Sequence, residues 1–128
     1  MNAVAIGTDL IAIARVEALL RRHPRRFVER CFTPDERRDV EGSNPRRYAE
    51  RYAARFAAKE AVLKALGTGL RRGIGWRDIA VLTGPLGAPS LVLHAAARSV
   101  ADERGIDSWL VSMTHASDYA SATVIGLG

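Results

Sequence analysis

Cysteine is almost missing from this chain. The only one, Cys31, excludes an intramolecular disulfide and suits a reducing, cytoplasmic setting. Long apolar stretches are missing too. No uninterrupted run approaches the ~18–20 residues that a membrane-crossing helix needs, so no membrane partner is expected. The opening Met1–Gly7 carries no basic leader and soon meets an acid at Asp9, so it reads as no signal peptide. Aromatic residues are only 6% of the chain, which leaves little for stacking on bases. Lysine is the scarcest charge: Lys59 and Lys64 stand alone against seventeen arginines.

What remains is an ordinary globular balance, 48% hydrophobic and 26% charged over 128 residues. That length is one domain's worth, residues 1–128, and closes a core without disulfide or metal staples. The charge is less ordinary. A net +5 and a pI near 10.1 point to an anionic partner: nucleic acid, a phosphorylated cofactor or an acidic protein. The plainer reading places many of these arginines at ordinary solvated positions.

Along the chain, residues 3–8 read as a buried strand ending at Asp9, and 13–22 as a helix with Val16, Leu19 and Leu20 on one face. His23-Pro24 breaks it, and 25–32 reads as a second short helical turn. Thr33-Pro34-Asp35-Glu36 is a helix start with a capping box. The longest periodic segment is 46–66, where Tyr48, Tyr52 and Phe56 recur every four residues among alanines. Gly67 stops it and opens a glycine-rich loop to residue 75. Trp76–Thr83 and Leu91–Leu93 read as strands about a turn at 84–89. A helix follows at 94–104, then strands at 108–113 and 119–126 with a loop at 114–118. Strands and helices mix without regular βαβ alternation, which predicts an α+β fold.

Three segments carry chemistry. Glu60 and Lys64 lie one helical turn apart, on the face of Phe56. The plain reading is a surface ion pair contributing ~0.2–0.5 kcal/mol. The alternative is a metal–phosphate site, with the carboxylate on Mg²⁺ and the ammonium on phosphate oxygens. Asp9, at the end of the first strand, is either a helix cap or a second carboxylate for the same cation. Ser112-Met113-Thr114-His115, with Ser117 and Asp118, crowds polar groups at a strand end. His115 is there either a hydrogen-bonded loop histidine or a phosphate donor. No Gly-x-Ser-x-Gly elbow supports a serine triad. The 67–75 loop lacks Gly-Lys-Ser/Thr and follows a helix, so it is no P-loop.

Taken in order, Gly7-Thr8-Asp9, Arg55-Phe56-Ala57-Ala58-Lys59-Glu60-Ala61 with Lys64 and Gly67-Thr68-Gly69, and Ser112-Met113-Thr114-His115 with Ala120-Ser121-Ala122 resemble the holo-[acyl-carrier-protein] synthases. These are the short bacterial 4′-phosphopantetheinyl transferases. The likeness spans nearly the whole chain and includes the Gly-x-Pro turn at Gly87–Pro89. It implies that family's α+β fold, a small sheet packed on one long helix and several shorter ones. It implies transfer of phosphopantetheine from coenzyme A to a serine of apo acyl carrier protein, with release of adenosine 3′,5′-bisphosphate, in fatty acid biosynthesis. Asp9 and Glu60 match the Mg²⁺ ligands, and Lys64 the lysine near the phosphates. Arg55, Lys64, Gly67, Pro89, Thr114 and His115 fall at positions around coenzyme A. Glu60 and Lys64 are the candidate catalytic pair. Glu60 would take the serine proton directly or through water, although a carboxylate on Mg²⁺ is a weak base. The resemblance also implies a homotrimer with active sites between subunits, where Asp9 and Glu60 can meet across an interface. It implies a first helix that docks the acidic carrier through Arg15, Arg21, Arg22 and Arg25.

The competing class is a basic nucleic-acid-binding module. Five Arg-Arg pairs (21–22, 25–26, 37–38, 46–47, 71–72) suit it, but no reading motif is present, and it leaves Asp9, Glu60 and Lys64 unexplained. The larger phosphopantetheinyl transferases look like two such units fused, and this chain has one.

Overall fold

The computed structural model describes Met1–Gly128. Strand β1 (Ala3–Ala12) leads into helices α1 (Ile13–Arg22), α2 (Pro24–Cys31), α3 (Pro34–Glu41) and α4 (Tyr48–Leu66). A hairpin of β2 (Ile79–Thr83) and β3 (Pro89–Leu93) follows, then α5 (Ala95–Glu103), β4 (Ser108–His115) and β5 (Tyr119–Leu127). The small sheet is three-stranded and antiparallel, in the order β1-β5-β4, while β2 and β3 pair separately.

The inner face of the sheet is built from small residues. Gly7, Ala120, Ala122, Val124 and Gly126 alternate with outward side chains and let α4 lie close against β1 and β5. Helix α4 answers with Ala53, Ala57, Ala58 and Ala61, all fully buried. The approach is closest at Gly7, where an added Cβ would lie 1.9 Å from the Ala61 carbonyl oxygen. Two apolar groups fill the rest. Phe27, Phe32 and Tyr52 pack between α2 and α4, with the Phe32 and Tyr52 rings 4.6 Å apart. Val62, Leu66, Ile79, Leu93, Val100 and Ile106 join α4 to the hairpin and α5.

The capping box forms as the sequence predicts: Thr33 Oγ1 accepts from Glu36 N, and Glu36 Oε1 accepts from Thr33 N. Gly67 ends α4 with φ 75°, a left-handed conformation that glycine adopts at no steric cost. Several boundaries differ from the sequence reading, among them the start of β3 at Pro89 and of α4 at Tyr48. Strand β1 does not stop at Asp9; it runs on to Ala12 because β5 keeps pairing with it, Asp9 opposite Ala122 and Ala12 opposite Tyr119. Asp9 therefore caps no helix. The cap position of α1 is Ala12, which makes no side-chain bond. At the far side, Thr114 and His115 belong to β4, paired with Ser121 and Ala120, and not to a loop. Trp76–Asp78 is a 3-10 turn before β2, closed by Asp78 Oδ2 accepting from Gly75 N.

The outer face of the sheet carries exposed apolar residues on either side of a polar row of Thr8, Thr123 and Ser112. Ile6, Leu10, Leu110 and Tyr119 are 69%, 63%, 56% and 51% exposed. Ile6 and Leu110 flank Ile125 in one cross-strand row.

Candidate active site

Strand β1 presents Asp9 on its inward side, and α4 presents Glu60 to the same cleft, of about 320 Å³, which Arg15 and Phe56 also line. The two carboxylates come together within one chain; the meeting across an interface that the resemblance allowed is not needed to join them. The reason is the extension of β1, which carries Asp9 along α4. Burial raises the Glu60 carboxyl above the ordinary carboxylate range, and the negative charge of Asp9 raises it further. Lys64 and Arg15 oppose that rise. Lys64 does not pair with Glu60, as the spacing suggested. Its Nζ donates to Asp9 Oδ1 at 3.0 Å and to the Thr8 carbonyl at 3.1 Å.

Two carboxylates and no third ligating side chain suit a cation that takes one or two carboxylates and leaves its other positions to water and phosphate, which describes Mg²⁺. The donor set is all oxygen, so a thiophilic metal does not fit.

A second cleft, of about 270 Å³, lies on the other side of α4. Arg55, Pro89, Thr114 and His115 line it together with Glu50, Arg51 and Thr83. Arg55 and Glu60 are five residues apart on one helix, roughly 140° around its axis, and they line different clefts. Arg55 is 4% exposed. Its Nη2 donates to Thr83 Oγ1 at 2.8 Å and its Nη1 to the Arg51 carbonyl at 3.4 Å. Burial pulls the Arg55 guanidinium below its usual range, and the charge of Arg51 pulls it further. His115 Nδ1 sits 3.6 Å from Glu50, which also accepts from Arg47. Gly67 lines neither cleft. It accepts no such role from geometry beyond ending α4 one turn after Lys64.

Of the four arginines expected to meet a carrier, Arg15 borders the carboxylate cleft and an adjoining groove of about 340 Å³. Arg21 and Arg22 stand exposed at the end of α1, and Arg25 pairs with Glu29 at 3.5 Å. The groove is apolar inside, with Leu19, Phe27 and Phe56, and its basic edge includes Arg26 and Arg30. Sequence reasoning missed those two. Their place depends on how α2 packs beside α1, which no local pattern encodes. Cys31 lines the same groove, but burial pushes its thiol up, away from the reactive thiolate.

Many other arginines are in local ion pairs: Arg37–Glu41, Arg38–Asp35, Arg72–Glu103 and Arg98–Asp102. Exposed pairs of this kind contribute little to stability. They do show how much of the basic excess is spread over helix surfaces.

The profile of the 4′-phosphopantetheinyl transferase superfamily matches residues 5–124. A holo-[acyl-carrier-protein] synthase of Gloeobacter violaceus is 45% identical over 123 residues, 96% of this chain and 92% of its own. One from Caldanaerobacter subterraneus is 38% identical over 98% of this chain and 95% of its own. Among solved structures, the synthase of Neisseria meningitidis superposes with a TM-score of 0.87 at 31% identity, over 99% of this chain and all of that one. The Helicobacter pylori synthase in complex with coenzyme A superposes at 0.82 and 30% identity, over 95% and 99% of the two chains. The shared fold covers nearly the whole of both chains in each case. The chain belongs to the 4′-phosphopantetheinyl transferase superfamily, and within it to the holo-[acyl-carrier-protein] synthases.

Proposed function

We propose that this chain, as one transferase domain, moves the phosphopantetheine arm of coenzyme A onto a serine hydroxyl of an apo acyl carrier protein in fatty acid biosynthesis. The observation that carries the reading is the cleft that Asp9 and Glu60 both line, with Lys64 bonded to Asp9. The serine oxygen bonds to the phosphorus next to pantetheine, and the bond from that phosphorus to the bridging oxygen breaks. Adenosine 3′,5′-bisphosphate leaves, and the serine proton must be accepted. Such a reaction needs in-line positioning and charge neutralisation more than covalent help.

Asp9 and Glu60 would hold Mg²⁺, which supplies neutralisation of the pyrophosphate charge. The Lys64 ammonium, held at the cleft by Asp9 and the Thr8 carbonyl, supplies a second positive charge. Glu60 is the candidate acceptor of the proton. Its raised carboxyl makes it a better base than an ordinary glutamate, and Mg²⁺ on the same carboxylate works against that. In the second cleft, Arg55, Pro89, Thr114 and His115 form the opposite wall for coenzyme A.

The two walls lie on different sides of α4, which supports a homotrimer whose active sites form between neighbours. The exposed apolar residues Ile6, Leu10, Leu110 and Tyr119 on the outer face of the sheet support the same reading, since residues grouped in that way mark an interaction surface. The groove beside the carboxylate cleft suits an acidic, partly apolar helix of the carrier, met by Arg15 with Arg26 and Arg30 along its edge and by Arg21, Arg22 and Arg25 farther out. Such charges raise the association rate at low salt. A cytoplasmic location fits the unpaired Cys31 thiol. A nucleic-acid partner would make no use of the paired carboxylates Asp9 and Glu60.

Thermal unfolding with and without coenzyme A and Mg²⁺ tests this. Ligand at ~100 times its Kd is expected to stabilise the protein by about 2.7 kcal/mol, with the Mg²⁺-dependent part lost in Glu60→Gln. Light scattering on the same samples should give three times the chain mass. No shift with saturating coenzyme A contradicts the function, and a monomer mass contradicts the shared site.

A further inference from the structure

The two carboxylates of the first cleft are not equally free. Lys64 Nζ donates to Asp9 Oδ1 at 3.0 Å and to the Thr8 carbonyl at 3.1 Å, which leaves one ammonium proton without a partner in the chain. Glu60 enters no ion pair at all. Asp9 on β1 and Lys64 on α4 stand fifty-five residues apart, so their pairing is made by the fold and not by helical spacing. The Asp9 side chain is 16% exposed and that of Lys64 56%. The acid is thus fixed in the cleft, while the ammonium sits at its mouth on a flexible four-carbon stem.

A divalent cation held by Asp9 and Glu60 competes with that ammonium. Both need the lone pairs of Asp9, and two positive charges a few ångströms apart repel. Lys64 must therefore let go of Asp9 when Asp9 becomes a ligand. A phosphate in the cleft offers the ammonium a second charge-assisted partner, and the exposed stem is free to reach it. We infer that Lys64 is a positioning residue that couples the two ligands of the cleft: it occupies Asp9 in the free protein and releases it when the pyrophosphate of coenzyme A takes the ammonium over. The role rests on the transferase reading. Its consequence is that a divalent cation alone binds weakly and binds better once coenzyme A is present. Linkage requires the reverse in equal measure, so the cation tightens coenzyme A by the same factor. Arg15 lines the same cleft but pairs with no carboxylate, so it has no such bond to release.

The test is titration of the intact protein with Mn²⁺, which takes the same oxygen ligands as Mg²⁺ and whose free ion is read by electron paramagnetic resonance. Wild type, Lys64→Met, Lys64→Arg and Arg15→Gln are each titrated with and without saturating coenzyme A. Without coenzyme A, Lys64→Met should bind Mn²⁺ about fivefold more tightly than wild type, the upper end for a half-exposed ion pair. Lys64→Arg keeps a cation for Asp9 and should bind as weakly as wild type. Arg15→Gln should stay within about twofold of wild type, because it removes a charge and no bond to Asp9. Coenzyme A should then tighten Mn²⁺ more in wild type than in Lys64→Met, by about the same fivefold. A Lys64→Met protein that binds Mn²⁺ no more tightly than wild type would overturn the inference. So would an equal gain from coenzyme A in both proteins, or a tightening in Arg15→Gln as large as in Lys64→Met, which would mean a diffuse field and no specific pairing. Wild type that binds coenzyme A but never Mn²⁺ would remove the metal assignment and the inference together. Wild type that binds neither would remove the transferase reading itself.

Discussion

Gly7→Ala is expected to remove most of the activity, and to do so through the backbone. A methyl at residue 7 would lie 1.9 Å from the Ala61 oxygen, 2.9 Å from the Ala61 carbonyl carbon and 3.0 Å from the Ala65 nitrogen. All three are main-chain atoms of α4, so no side chain can swing aside. Either β1 or α4 must move by more than an ångström. Asp9 is two residues along β1 on the same inward side, and Glu60 precedes Ala61. The displacement therefore opens the cleft that the two carboxylates share. It also strains the bonds from Lys64 to Thr8 and Asp9. Overpacking costs about 1–3 kcal/mol and more where backbone is the obstacle. A misplacement of about 1 Å at a reacting centre costs on the order of 10²-fold in rate. Urea unfolding and turnover of Gly7→Ala measure both. Gly75→Ala is the control, since a methyl there meets nothing within 4 Å and the residue's φ is negative. Gly7→Ala with the turnover and stability of the control would mean that the close packing of β1 on α4 does not set the site.

Lys59→Met should be the most destabilising single change in the core. Lys59 and Glu36 are both fully buried. The ammonium spends its three protons on Glu36 Oε1 at 2.7 Å, the Trp76 carbonyl at 3.1 Å and the Ile79 carbonyl. Glu36 Oε1 also accepts from Thr33 N, and Oε2 from Val81 N at 3.0 Å. The Phe32 ring lies 5.3 Å from the ammonium. One ion pair thus joins the start of α3, the middle of α4 and the start of β2. Burial pulls the Lys59 ammonium below its usual range, and Glu36 holds it up. Removing the lysine leaves a buried carboxylate without a counter-charge, and breaking such a pair costs about 3–5 kcal/mol. Adding Glu36→Gln to Lys59→Met removes the stranded charge, so the double variant should be more stable than Lys59→Met alone. Urea unfolding of the four proteins closes the cycle. A double variant whose loss equals the sum of the two single losses would show that the pair is not coupled.

Much of this architecture is legible in local sequence. Thr33 and Glu36 announce their capping box, Gly67 its helix end, and the Tyr48, Tyr52, Phe56 repeat the long helix. What the sequence hides is set by partners far along the chain. Asp9 is a poor strand former, so β1 looks finished there. It continues because Ala120 and Ala122 lie opposite its last residues, more than a hundred positions away. Thr114 and His115 look like loop for the same reason. Nothing local marks Lys59 as buried, because α4 is buried on most of its circumference and leaves no amphipathic stripe to tell inside from outside. The pairing of Lys64 with Asp9 in place of Glu60 likewise needs β1 laid along the helix. The motif residues Asp9, Glu60 and Lys64 were identifiable by resemblance and do converge. Arg55, Pro89, Thr114 and His115 also converge, but on a second cleft, and Gly67 joins neither.

A Mg²⁺-dependent transfer carried by the Asp9–Glu60 cleft is tested most directly by intact-mass measurement of an acyl carrier protein. An apo carrier incubated with this protein, coenzyme A and Mg²⁺ should gain the mass of one phosphopantetheine group. The gain should vanish with EDTA and fall by at least about 10²-fold in rate with Glu60→Gln, the scale of losing a preorganised electrostatic group. No gain on several apo carriers, with the protein folded, or an equal gain in EDTA and with Glu60→Gln, would contradict it.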